Sequence, residues 1–211
     1  AQANVEAVQA VARSIRAGAL YGDLRGQFAI EAAQRRNRAV FLTLDRVSSE
    51  LADDRIRDGQ TLFIDGVSHY RHYHGDYART VFVGDPAPSA RRAANAAVTG
   101  WFAVRDRIRP GLRYSDLVRI GTEAVTAMGG EFRVGFGPHS VGLMHTDEPG
   151  IDAQGFYRKA DLVLQPGMVL SVDCPIMDTG VGGSAHLEDL MLITANGAVP
   201  IHEIDQPVLQ L

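Results

Sequence analysis

Residues 59–83, GQTLFIDGVSHYRHYHGDYARTVFV, put one acid, Asp65, at the end of an apolar run and a second, Asp76, on the returning arm. The run is rich in β-branched and aromatic residues and follows a glycine, Gly59, six positions before the acid, so it reads as strand, hairpin, strand. The plan recurs downstream. In LQPGMVLSVD Gly167 stands six positions before Asp173, and the returning arm GGSAHLEDLMLI carries Glu188. Setting Asp65 opposite Asp76 centres the first hairpin between Tyr70 and Arg71. Setting Asp173 opposite Glu188 centres the second at Gly180-Val181, inside the glycine-rich DTGVGG, where a tight turn is expected. Two such copies, each with helices nearby, predict an α+β fold. It has two pseudo-twofold-related halves with curved antiparallel sheets flanked by helices around a central site.

Four carboxylates gathered at the ends of apolar strands repel one another and resist ionising. A pair of divalent cations removes that conflict. A further donor lies in VGFGPHSVGLMHTDEPG, where His139 is bracketed by Gly137 and Gly142. One imidazole among carboxylates suits Mn²⁺, Fe²⁺, Co²⁺ or Zn²⁺ better than the all-oxygen preferences of Ca²⁺ or Mg²⁺. His186 shares a strand face with Glu188, two residues away, which lets it reach the metals or the groups around them. Asp189 then faces the other way.

The remaining sequence frames this site. The chain has 211 residues, 45% of them hydrophobic and 22% charged, enough for one domain with a sizeable core. Net charge is −4 and the basic residues are scattered, with one dense patch, RRNR at residues 35–38, placed in a helical segment. Nucleic-acid binding is therefore not expected. No apolar run approaches the ~20 residues of a membrane span. The single cysteine, Cys174, forbids an internal disulfide and points to a reducing compartment, the cytoplasm by default. Helical periodicity marks Val5, Val8, Ala12 and Ile15, then Ala94, Ala97, Val98, Trp101, Val104 and Ile108. A further helix, N-capped by Ser115, turns Leu117, Ile120, Ala124 and Met128 inward and stops at Gly129-Gly130. Between Ala29 and Leu51 the pattern reads as helix, then strand or loop. His69, His72 and His74 fall at a hairpin tip and read as an exposed turn. Asp76 and Arg79 have the spacing of an ion pair, the plain alternative to metal ligation by Asp76. GFGPHSVG has the wrong glycine spacing for a dinucleotide fingerprint, and Ser140 lacks a nucleophile elbow.

The order Asp65, Asp76 in HGDYART, His139 in PHSVG, Asp173 in PGMVLSVD and Glu188 in HLED resembles the M24 metallopeptidases. These are the pita-bread enzymes that include methionine aminopeptidase, aminopeptidase P, prolidase and creatinase-like relatives. The resemblance runs from the first helix to Thr194. It implies that Asp65 chelates one metal, that His139 and Asp173 hold the other, and that Asp76 and Glu188 bridge them. Mn²⁺ is the first expectation for the pair, with Co²⁺, Fe²⁺ or Zn²⁺ as alternatives. A bridging water or hydroxide would attack the scissile carbonyl, with Asp173 helping to move the proton. The implied activity is aminopeptidase or dipeptidase cleavage of short Xaa-Pro peptides by a homodimer. A creatinase-like C–N hydrolase or a sulfonium-compound lyase is the runner-up, ahead of a non-catalytic binding module. The chain opens on Ala1, which fits one catalytic domain over residues 1–211 with an accessory N-terminal domain absent from it.

Three departures from the family pattern stand out. The family's glutamate is Asp173 here, one methylene shorter. Its substrate-facing histidine is Thr146 here, with His145 one residue early as a substrate-contacting proton carrier and Pro149 at the family offset. Residues 1–64 lack the histidine that many peptidases carry ahead of the first hairpin.

Overall fold

A computed structural model describes residues 1–45, 53–147 and 161–211; Pro149 lies outside them. The first half places α1 (Gln2–Ala12) and α2 (Tyr21–Gln34) against β1 (Arg38–Leu44), β2 (Thr61–Tyr70) and β3 (Tyr73–Phe82). The second half repeats the arrangement with α3 (Pro88–Arg105), α4 (Tyr114–Ala127), β4 (Gly137–Ser140), β5 (Val169–Asp173), β6 (Met191–Thr194) and β7 (Gly197–Pro200). One four-stranded sheet runs β1-β2-β3-β8, with β8 at Val208–Gln210, and the other runs β4-β5-β6-β7. This is the expected α+β pita-bread plan with one exception: β8 pairs with β3 in parallel.

Each half has its own core, and the periodic stripes supply both. Val5, Val8, Ala12 and Ile15 join Phe28, Leu62 and Ile64 in the first, while Trp101, Val104 and Ile108 join Leu170 and Val172 in the second. Fully burying each such aliphatic side chain is worth roughly 1.5–3 kcal/mol. The inward face of α4 is Tyr114, Leu117, Gly121 and Val125, and Met128 is exposed. The expected stripe drifts off the core at its end because α4 packs through Gly121, where a Cβ would sit 2.4 Å from the Phe136 ring. The helix also begins one residue earlier than Ser115. Arg113 occupies the cap and its amide is held by Asp116 (2.9 Å), while Ser115 donates its own amide and hydroxyl to Asp161. RRNR is not helical: α2 ends at Gln34, Arg36 turns the chain with φ 63°, and Arg38 opens β1.

The first hairpin turns one residue later than Asp65–Asp76 pairing requires. Tyr70 pairs with Tyr73, leaving Arg71 and His72 as a two-residue loop with φ of 49° and 71°. Positive φ at both positions is the turn whose twist matches a hairpin. Asp65 therefore faces Ala78, and Asp76 faces Val67. The two acids are diagonal neighbours on one sheet face rather than a directly opposed pair. In the second hairpin Leu170 pairs with Met191 and Ile176 bridges Ala185, the same register that sets Asp173 opposite Glu188. Between those pairs the ladder opens, and Glu188 bridges Ala78 of the other half instead.

That bridge is the seam of the molecule. The Glu188 amide donates to the Ala78 carbonyl (3.1 Å) and the Ala78 amide to the Glu188 carbonyl (3.3 Å). The Thr80 hydroxyl accepts from the His186 amide (2.9 Å) and donates to the His186 carbonyl (3.0 Å). Gly183, at φ 84°, lets the second hairpin approach so closely that a Cβ would lie 2.1 Å from the Thr61 carbonyl oxygen. Beneath the seam the buried Arg79 donates to the carbonyls of Ala78 (2.8 Å) and Glu188 (2.9 Å) and pairs with Asp189 (2.6 Å) and Asp205 (2.8 Å). Among the described residues, no helix is long and apolar enough to cross a membrane.

Candidate metal centre

Side-chain alternation brings the acids to one face. Asp65, Ala78 and Glu188 form a row across three chain segments, and Asp76 lies two residues from Ala78 on the same strand face. The other half completes the ring. His139 on β4 faces Ser171 on β5, and Gly137 faces Asp173. A Cβ at Gly137 would stand 3.2 Å from that of Asp173, so the glycine makes room for the shorter acid. Arg79 and Asp189 emerge on the opposite faces, which is why Asp189, and not Asp76, takes the Arg79 charge.

His139 Nε2 lies 3.4 Å from Glu188 Oε1, 3.6 Å from Asp173 Oδ2 and 3.7 Å from Asp76 Oδ2. His145 Nε2 lies 3.0 Å from Asp76 Oδ2. His186 Nε2 is 3.3 Å from both Asp173 Oδ1 and Glu188 Oε2. The structure thus gathers all seven candidate residues, Asp65, Asp76, His139, His145, Asp173, His186 and Glu188, around one point. Asp76, His139, His186 and Glu188 form the buried floor. The Asp173 and His145 side chains, 38% and 37% exposed, form the rim from which a substrate would arrive. The three histidines at 69, 72 and 74 stay at the hairpin tip, with the His69 and His72 rings stacked at 5.3 Å. The His74 amide ties that tip to the Gly142 carbonyl (2.9 Å), on the loop that carries His145.

The electrostatics are those of a site built around positive charge. Burial, then neighbouring carboxylates, holds Asp65 and Asp76 well above the usual carboxylate range. Burial also works against ionised Glu188, but His139 and His186 outweigh it and hold that acid well below the ordinary range. His139 is pushed up to about 9: burial opposes the shift, and Glu188, Asp173 and Asp76 overcome it. His145 is lowered by burial and by His139. Both carboxylate oxygens of Asp76, Oδ1 of Asp65 and Nε2 of His139 are buried with no hydrogen-bond partner among the described residues. An unpartnered buried carboxylate is costly, and a divalent cation supplies the missing partner. The donor set of carboxylate oxygens and imidazole nitrogen within reach of one another therefore fits divalent metal ions.

Several contributors escaped the sequence reading. Ser171 donates a short hydrogen bond to Glu188. Its place two residues before Asp173 on the same strand face was the available signal. Phe41 and Phe63 pack edge-on against the His145 and His186 rings at 5.1 and 5.4 Å. No spacing rule links those aromatic residues to their histidines.

Comparison with known proteins agrees with this architecture. The family model described as "Metallopeptidase family M24" matches residues 1–195. A curated Xaa-Pro dipeptidase of Pyrococcus furiosus is 29% identical over 159 residues, covering 75% of this chain and 44% of the relative. A probable dipeptidase PepE of Mycobacterium tuberculosis is 29% identical over 153 residues, covering 72% of this chain and 39% of its own. The chain thus spans less than half the length of these curated relatives. Among solved structures, dipeptidase PepE of Mycobacterium ulcerans superposes with a TM-score of 0.84 at 23% identity, covering 100% of this chain and 58% of that one. Methionine aminopeptidase of Thermotoga maritima gives 0.75 at 21% identity, covering 94% and 93%. These structural likenesses speak for the fold, and the match over residues 1–195 speaks for descent: this chain belongs to metallopeptidase family M24.

Proposed function

We propose that this chain is the catalytic domain of a dinuclear-metal peptidase that cleaves short Xaa-Pro peptides. The observation that carries the reading is the unpartnered burial of both Asp76 oxygens and His139 Nε2 in the middle of the donor cluster. Asp65, Asp76, His139, Asp173 and Glu188 would hold the two ions. Bound divalent metals supply Lewis-acid polarisation of the scissile carbonyl and an activated water nucleophile.

The chain's own residues do the rest. Ser171 and His186 orient Glu188 from two sides, which fixes the direction its oxygens face. Asp173, part-exposed at the rim, would take the proton released on attack and return it to the leaving amine. The floor of Asp76, His139, His186 and Glu188 lies away from bulk water, which strengthens its electrostatic interactions with the reacting carbonyl. The preference for proline rests on the Xaa-Pro dipeptidase of Pyrococcus furiosus and on the resemblance, and assembly as a homodimer rests on the resemblance alone.

A second reading has its own support. Asp173 in place of glutamate, and Thr146 where a substrate histidine is expected, fit a non-peptide substrate on the same fold, a C–N hydrolase or a sulfonium-compound lyase. A direct comparison separates them. The full protein, loaded with Mn²⁺, Co²⁺ or Zn²⁺, is given Xaa-Pro dipeptides, Xaa-Ala dipeptides and non-peptide C–N and sulfonium compounds. Chelator-sensitive release of free proline is the expected result. Intact Xaa-Pro peptides alongside turnover of a non-peptide compound would overturn it.

A further inference from the structure

The cluster contains three imidazoles, and their outer nitrogens sort them by role. His139 Nδ1 faces the Ser140 carbonyl (3.4 Å), so Nδ1 carries a proton and Nε2, which faces the acids, is the nitrogen left for a metal once its own proton is displaced. His186 is the reverse: the Cys174 amide donates to its Nδ1 (3.3 Å), so the ring proton sits on Nε2 and is offered to Asp173 and Glu188. His186 is thereby a hydrogen-bond donor to ligands rather than a ligand. His145 resembles His139. Its Nδ1 lies 3.4 Å from the Thr146 hydroxyl, which can accept that proton and free Nε2, and Nε2 is 3.0 Å from Asp76 Oδ2.

Two sets of contacts hold His145 in that pose, and a third observation places it beside two other donors. Phe41 meets its ring edge-on at 5.1 Å. The loop that presents it is closed on itself: Ser140 donates its hydroxyl to the Asp147 carbonyl (2.6 Å) and the Leu143 amide donates to the Asp147 carboxylate (3.0 Å). One atom each of Asp76, His139 and His145 lies within 4.8 Å of the others. Two donors on one ion at a Zn–N distance of ~2.0–2.1 Å stand about 3.0–3.4 Å apart, so the 3.0 Å gap between His145 and Asp76 lets both reach one metal with little movement.

We propose that His145 is a metal ligand, completing a two-imidazole, one-carboxylate face of Asp76, His139 and His145 at one of the two metal positions. This rests on the metal-enzyme reading above and extends it. Thr146, standing where the family has a substrate histidine, offers a hydroxyl that can accept the Nδ1 proton in the tautomer this role requires. The two positions then differ in kind. One has two nitrogens, and the other, around Asp65 and Glu188, has oxygens only because His186 keeps its Nε2 proton. The nitrogen-rich position selects Zn²⁺ or Co²⁺, and the oxygen-only position takes Mn²⁺. The centre is thus a mixed one, rather than the paired Mn²⁺ site that the family resemblance suggests.

The test is metal binding, read without turnover. The chelated full protein is titrated calorimetrically with Zn²⁺ and with Mn²⁺, and the one-equivalent Zn²⁺ form is examined by X-ray absorption for its imidazole count. The wild type should show two imidazoles on the first Zn²⁺. His145→Ala should show one, weaken that Zn²⁺ by roughly 10–100-fold, and leave Mn²⁺ at the second position within about threefold. Thr146→Val should weaken the same Zn²⁺ by a smaller factor. One imidazole in the wild type, or unchanged Zn²⁺ affinity in His145→Ala, overturns the assignment while leaving the metal enzyme intact. Wild-type protein that takes up neither ion stoichiometrically overturns the metal reading as well. His145 stands on a rim loop, and circular dichroism of each variant is the check that it is folded.

Discussion

Asp76 carries the sharpest conflict among the described residues: it is buried beside other carboxylates, imidazoles offset them only in part, and neither of its oxygens has a hydrogen-bond partner. Replacing it with asparagine keeps its shape and removes its charge. Asp76→Asn should lose stoichiometric metal by elemental analysis, yet melt at a higher temperature than the wild type when both are held in chelator. A lower melting temperature in chelator would show that Asp76 is a structural acid. Ser171 makes a gentler case. Its hydroxyl orients Glu188, so Ser171→Ala should reduce calorimetric metal affinity about 10–100-fold while the fold stays intact. That these acids and histidines gather was legible in the sequence, because such side chains are few, chemically distinctive and repeated in context. Ser171 was not, because a serine has too many ordinary uses for its identity to single it out.

Strands carried the period-2 signal, so β2, β3 and β5 were readable, and the second hairpin's register followed from its glycines. The first hairpin was misplaced because Arg71 and His72 adopt left-handed backbone without being glycine or asparagine. Nothing in their side chains announces that turn. The Asp76–Arg79 spacing likewise suggested a pair that β3 forbids, since residues three apart face opposite sides of a strand. Arg79 instead locks β3 to the Glu188 segment through two carbonyls and Asp189. Arg79→Met should destabilise the protein by about 3–5 kcal/mol in urea unfolding, because buried Asp189 loses its guanidinium and keeps only the Trp101 indole N–H (3.0 Å) and the nearby His202 ring. Arg79→Met combined with Asp189→Leu should recover much of that loss. Equal destabilisation in single and double variants would mean that the carbonyl contacts, not the ion pair, dominate.

Across the whole molecule, charge and fold are linked through the proton. A histidine whose folded-state pKa is raised gives stability that is full below its unfolded value, ~6.5, and is lost as pH rises through the folded value. For His139 that window runs from ~6.5 up to about 9. Asp65 and Asp76, raised by burial, act with the same sign, since the folded state holds protons that the unfolded chain releases. In chelator, the melting temperature should therefore fall as pH climbs from 6.5 to 9. Saturating divalent metal should flatten that slope, because the ion replaces the proton. A chelated protein whose stability rises over the same range would refute the assignment of these charges. The two-halves architecture itself was legible because the acid hairpin occurs twice. The way the halves meet was not, since Ala78 and Gly183 carry no chemistry that marks them as a junction.

The paired amides of Ala78 and Glu188 give that junction a clock. Each is hydrogen-bonded only while the halves are closed, and the carboxylate of Glu188 sits on the same residue as one of those amides. If Glu188 holds an ion as proposed, separating the halves and moving that ligand are a single displacement. Exchange of those two amide hydrogens with heavy water should run at the rate of metal loss, and bound metal should slow both together.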